Sequence, residues 1–203
     1  MARIKLTKNE LKIQKDALRM YERYLPTLQL KKRQLQGEIR NVDGRRAELE
    51  SRREATDKAF QAWIGVFAER GRFSPDMLRL ASLRTDRANI AGVDIPVFRG
   101  AEFALAEYDL FSMPLWVDRA ARNLKELALI DLEIRVVREQ IELLSRELAV
   151  TTQRVNLFEK VKIPETKANI RRIRVYLGDQ QTAAVVRGKI AKGKLVAVAE
   201  VGT

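Results

Sequence analysis

Near neutral pH, ionic chemistry in this 203-residue sequence falls to carboxylates, lysines and arginines, because it contains no His and no Cys. That excludes imidazole acid–base catalysis, Ser-His-Asp triads, His or thiolate metal sites and disulfides. The carboxylate pairs Glu48/Glu50 and Glu139/Glu142 fall in regular helical pattern and read as solvated faces. Gly188-Lys189-Ile190-Ala191-Lys192-Gly193-Lys194 has Gly and Lys, but not the GxxxxGK[ST] or GxGxxG spacing with which backbone N–H groups cradle phosphates. Trp63 and Trp116 read as core residues. What remains is positive charge: Arg171, Arg172, Arg174, Arg187, Lys189, Lys192 and Lys194, with Tyr176 the aromatic among them. Bases would have little to stack on there. Three readings stay open for this segment: nucleic-acid binding, a solvated helix face, or insertion into a protein cavity lined with carboxylates.

The charge is unevenly placed. Residues 1–53 carry 15 Lys/Arg against 7 Asp/Glu and residues 160–195 carry 10 against 2, so each segment is +8; the remainder carries 14 against 18, a net of −4. An antiparallel arrangement of the two ends would put both basic segments at one end of the molecule, which then needs counter-charged surroundings.

Two long helical patterns would position these residues. In the second, apolar residues recur at Leu127, Ile130, Ile134, Val137, Ile141, Leu144, Leu148, then Thr151, Val155 and Phe158, in alternating steps of three and four. This is the a/d repeat of a coiled coil, and so narrow a stripe needs a partner helix. The partner is the N-terminal segment, whose interleaved series are Leu11, Leu18, Leu25, Lys32, Ile39, Arg46, Arg53, Phe60, Phe67 and Gln14, Tyr21, Leu28, Leu35, Val42, Leu49, Thr56, Trp63. The charged gaps at Lys32, Arg46 and Arg53 are either side chains reaching outward along their aliphatic stems or places where a third protein completes the packing. The first helix is expected over 4–67, and the 57 residues of its repeat from Leu11 to Phe67 alone would make a shaft-like element about 85 Å long. Thr7 with Glu10 reads as its N-terminal capping box, and Pro26 should bend it. After Phe158 the repeat slips by one residue, to Ile163, Ile170, Ile173 and Leu177, with Pro164 at the slip. If pairing brings Pro26 level with Pro164, both helices bend at one height.

Between the helices, Ser74-Pro75-Asp76 reads as the start of a short helix to about Arg87. Residues 89–98 read as a strand, Arg99-Gly100 as a turn, and Glu102–Phe111 as a returning strand. The expected class is thus mainly α, a long antiparallel two-helix coiled coil with a small middle region of short helix and β-hairpin. The expected divisions are 1–70, 71–114, 115–194 and a disordered tail at 195–203, with Gly178, Gly188 and Gly193 weakening the helix before it. No apolar run approaches the roughly 20 residues of a membrane span, and MARIKLTKNE lacks an apolar signal region, so the cytoplasm is the expected compartment.

Several runs resemble the D subunit of the V-type/A-type rotary ATPases: Arg154-Val155-Asn156-Leu157-Phe158-Glu159 followed by Ile163-Pro164, the middle run Asn89–Pro96, the basic run Arg187–Lys192, and Leu6-Thr7-Lys8 at the start. The likeness covers about residues 3–194; the tail is richer in Gly and small residues around 178–188 than the family pattern. The resemblance implies a non-catalytic central rotor shaft, peripheral to the membrane and without cofactor, metal or nucleic acid. Its paired helices would enter a hexamer of catalytic A and nucleotide-binding B subunits, and its middle would meet the small F subunit of the stalk and the connector to the membrane ring. Rotation would couple ATP synthesis or hydrolysis to proton or sodium transport. On that footing Lys5, Lys8, Lys12, Arg174, Arg187, Lys189 and Lys192 are expected to face the hexamer bore. Ile90, Val93, Ile95 and Phe98 are expected to face the F subunit or the connector, or to pack on the shaft. The alternative is a basic coiled-coil protein that binds nucleic acid or scaffolds others, with salt-sensitive DNA affinity.

Overall fold

A computed structural model describes residues 4–61, 78–105 and 116–201. Helix α1 spans Lys8–Gln61, strands β1 and β2 span Leu78–Ile90 and Val93–Leu105, helix α2 spans Trp116–Asn156, a π turn spans Leu157–Lys162, and helix α3 spans Ile163–Val201. The chain divides into two compact units: a terminal unit of Met1–Leu30 with Thr151–Thr203, and a central unit of Lys31–Val150.

In the central unit the heptad seam forms as the sequence predicts. Leu49 packs with Ile130, Ile134 and Val137, joined by Val42 and Ile141. Leu35 and Leu144 are both fully buried and pack together with Ile95. Burying one such aliphatic side chain is worth roughly 1.5–3 kcal/mol, so these few contacts dominate the pairing of α1 with α2. Cross-helix ion pairs set the antiparallel register: Lys31–Glu147 at 2.7 Å, Arg45–Glu133 at 2.7 Å and Arg52–Glu126 at 3.2 Å. Fourteen residues forward along α1 match fourteen back along α2, and the next seven match seven, which is the flanking-charge ladder of a coiled coil.

The middle region is a two-stranded antiparallel sheet. Its tip is the two-residue turn Ala91-Gly92, both at positive φ (52° and 78°). That conformation matches the twist of paired strands and tolerates Gly at no steric cost. Asn89 closes it, its side-chain oxygen accepting from the Gly92 N–H at 3.1 Å and its amide donating to Asp94 Oδ1 at 2.6 Å. Three expectations are corrected here. Residues 78–87 are strand, not the end of a short helix; the expected helix start at 74–76 lies outside the described residues. The second strand is Val93–Leu105, beginning nine residues before the expected Glu102; the end of the expected strand, 106–111, lies outside the described residues. Arg99-Gly100 is a bulge, where Arg84 and Thr85 pair with Gly100 and Phe98 and leave Arg99 unmatched. Asn89 and Gly92 carried the true turn signal, but Ala at a left-handed position hid it.

In the terminal unit, Thr7 Oγ1 accepts from the Glu10 N–H at 3.2 Å, so Thr7 caps α1 as expected. Helix α1 continues through Pro26. Tyr21 packs its ring on Phe158, centroids 5.1 Å apart, and Glu22 pairs with Lys167 at 3.0 Å. The stretch just before Pro26 therefore faces the stretch that holds the π turn and Pro164. Beyond it the seam resumes at Thr166, Ile170 and Ile173, all buried. Helix α3 runs through Gly178, Gly188 and Gly193 to Val201, into the tail expected to be disordered from 195; residues 202 and 203 lie outside the described residues.

Candidate functional site

The hairpin's inner face is set by strand alternation. Ala88 pairs with Ile95 and Ile90 with Val93, so these four side chains share one face. That face lies on the helices: Ile95 is 3% exposed against Leu35 and Leu144, and Ala88, Ile90, Ala91 and Val93 pack around them. Gln140, itself buried, donates from its side-chain amide to the Pro96 carbonyl. A methyl added at Gly92 would meet the Lys31 ammonium at 3.8 Å, so the turn sits beside the Lys31–Glu147 pair. Of the four middle residues expected to meet a partner or the shaft, Ile90, Val93 and Ile95 are thus committed to the helices, and Phe98 is half-buried opposite Thr85. What the hairpin presents outward is Leu80 and Leu83, 48% and 41% exposed, with a charged fringe. There Arg99 grips Asp86 at 3.0 Å, and Arg84 pairs with Glu102. The Asp86 carboxyl is held below its usual range by the Arg87 backbone N–H and then by Arg99.

Sequence reasoning missed Gln140, Leu143 and Val136. They stand off the a/d stripe, and the burial of Gln140 and Val136, with Leu143 partly buried, shows α2 using a second face. The available signal was apolar width, since Val136-Val137 and Leu143-Leu144 are doublets where a two-helix seam needs single residues.

The charged seam positions Arg53 and Arg46 both form ion pairs within the chain. Arg53 Nε meets Asp131 Oδ1 at 2.5 Å, and Arg46 meets Asp43 at 3.0 Å on its own helix, although the Arg46 Nε is buried without a hydrogen-bond partner. The Arg53 guanidinium is pushed above its ordinary value by that hydrogen bond, and Glu50 is pulled down by its hydrogen bond from Arg138, 2.8 Å away.

The terminal unit is different. It carries 18 Lys/Arg against 7 Asp/Glu, a net of +11, whereas the central unit carries 21 against 20, a net of +1. All seven expected bore-facing residues, Lys5, Lys8, Lys12, Arg174, Arg187, Lys189 and Lys192, lie in it and are exposed. Arg174 borders an open groove of about 610 Å³, between α1 and α3, with Lys15, Arg19 and Arg171 on its sides and Leu18, Ile170 and Val175 lining it. Exposed apolar side chains accompany the cations, including Ile13, Met20 and Tyr24 on one line of α1 and Val175, Val186 and Ile190 on α3. Among the described residues no group of His, Cys, Asp and Glu is arranged to hold a metal ion, and no helix is long and apolar enough to cross a membrane. The exposed cations with apolar side chains among them make a surface suited to docking.

The family model for the D subunit of ATP synthase matches residues 10–193. The chain belongs to that family. Among its relatives is the V-type ATP synthase D subunit of Borreliella burgdorferi, 48% identical over 196 residues that cover 97% of this chain and 96% of that one. Proteins of the same name from Chlamydia pneumoniae and Chlamydia muridarum are 35% and 34% identical, each over 201 residues, covering 95% and 96% of this chain and 93% and 97% of theirs. For a chain of this family, two runs behind the resemblance now have structural meaning. Asn89–Pro96 is the hairpin turn with its docking strip, and Arg154–Glu159 leads into the π turn.

Proposed function

We propose that this chain is the central-stalk rotor shaft of a V-type/A-type ATP synthase or ATPase. In this reading it is a non-catalytic component. It couples ATP synthesis or hydrolysis in a hexamer of A and B subunits to proton or sodium transport by turning inside that hexamer. The observation that carries the proposal, beside family membership over nearly the full chain, is the terminal unit's unmatched charge of +11 on a surface that also exposes apolar side chains. Such a surface is guided by a field more than locked by fixed pairs, and a shaft that bound tightly at one angle would stall. Lys5, Lys8, Lys12, Arg174, Arg187, Lys189 and Lys192 are the proposed bore-facing cations.

The small F subunit of the stalk and the connector to the membrane ring are the proposed partners of the middle region. Because Ile95 is buried on the helices, the proposed contact there moves to Leu80 and Leu83, with Phe98 beside them in the sheet. The shaft would sit in the cytoplasm, peripheral to the membrane. Native mass spectrometry of the full chain with its A and B subunits, with and without the F subunit, tests the reading. One copy per A/B hexamer is the expected result. Exclusion from a hexamer that is otherwise competent in ATP hydrolysis would overturn it.

A further inference from the structure

The a/d series of α2 ends at Thr151, Val155 and Phe158, and uninterrupted heptads would continue at 162, 165, 169, 172 and 176. The buried or half-buried seam residues are instead Ile163, Thr166, Ile170, Ile173 and Leu177, each displaced by one. The six-residue π turn Leu157–Lys162 occupies the gap, and there the Ile163 N–H bonds the Phe158 carbonyl five residues back. A π turn is an α-helix holding one extra residue, so the turn absorbs the insertion and both seams stay aimed at α1. Its edges are ordinary helix, with Asn156 at φ −62° and ψ −40° and Ile163 at φ −65° and ψ −51°. Pro164 brings no N–H to the Lys160 carbonyl, which disfavours plain α-helix at this point. None of the six residues is buried, whereas Val155 before them and Thr166 after them are 3% and 5% exposed. The turn is thus an unburied insertion between two buried seams.

We propose that this π turn is a register reserve: the extra residue moves along the helix between Val155 and Thr166 and re-aims the side chains it passes. A turn it passes is rotated by about 100° and shifted by about 1.5 Å along the axis. The side chains so re-aimed include an exposed apolar pair, Leu157 and Val161, and the lysines Lys160 and Lys162. Buried Val155 and Thr166 mark the limits of the travel, and the Phe158–Tyr21 ring contact and the Thr166 hydroxyl bond to the Lys162 carbonyl at 2.6 Å hold the register seen here. The inference stands on the helix itself and not on the rotary reading.

Amide hydrogen exchange on the full chain tests it. Amides of 157–163 are expected to exchange about tenfold or more faster than those of 149–155 and 169–175. Deleting Val161 together with Pro164→Ala places Ile, Thr, Ile, Ile and Leu at every continuing seam position, and is expected to abolish the difference. Pro164→Ala alone keeps the extra residue and is expected to keep the fast exchange. Uniform protection in the native chain would overturn the proposal. So would a fast segment that survives the deletion, or full protection restored by Pro164→Ala alone, which would make the proline and not the insertion the cause.

Discussion

The central and terminal units use the same heptad grammar and end with opposite surfaces. In the central unit charges pair repeatedly within the chain. Lys31, Arg45, Arg52, Arg53 and Arg138 all pair across the helices, and the hairpin covers α2's second apolar face. In the terminal unit a single cross-helix ion pair, Lys167–Glu22, is seen among the described residues, while Ile13, Tyr24, Val175 and Ile190 are each more than half exposed. One interface is closed on itself and the other is left to be completed. A seam alone does not tell these apart. The flanking charges do, because matched charges saturate a surface and unmatched ones leave a field outside it.

The largest test of this contrast is at the core. Leu144→Ala should cost about 2–5 kcal/mol in denaturant unfolding, because it opens a cavity shared by both helices and the hairpin. Ile95→Asp should come next, burying an unpaired charge and undocking the hairpin while far-UV circular dichroism keeps its helical signal. If tryptic cleavage within 78–105 did not rise in Ile95→Asp, the hairpin would not depend on that contact. Gln140→Leu should be milder, about 1–3 kcal/mol, since it strands the Pro96 carbonyl, and it should raise exchange in the hairpin before the helices.

Acid should then separate the two units by protection. The Glu50, Glu54 and Asp86 carboxyls, all in the central unit, are held below their ordinary values in the fold. Their contribution is present above the unfolded carboxylate pKa and is lost as pH falls through the folded values. Exchange measured at pH 7 and again below the carboxylate range should therefore show the central unit loosening more. The smallest effect is that of salt. Screening should weaken the central ladder slightly and relieve self-repulsion in the terminal unit, so protection should shift in opposite directions. A common shift would mean that the charge contrast has no energetic weight.

The sequence by itself determined the seams, the antiparallel pairing, the Thr7 cap, the one-residue slip at Pro164 and the basic ends, because each is written in local periodicity or in residue type. Arg154–Glu159 and Asn89–Pro96 also carried the family. The tertiary structure alone decided which way the hairpin faces, where its turn lies and that Ile95 belongs to the core. Those outcomes rest on contacts between residues far apart in the chain, such as Ile95 with Leu35 and Leu144, and on an alanine held at positive φ by Asn89 and Gly92. The π turn lies between the two cases. The slip was legible, but whether a helix takes up an extra residue by bending, by breaking or by widening one turn depends on both flanking seams being held at once.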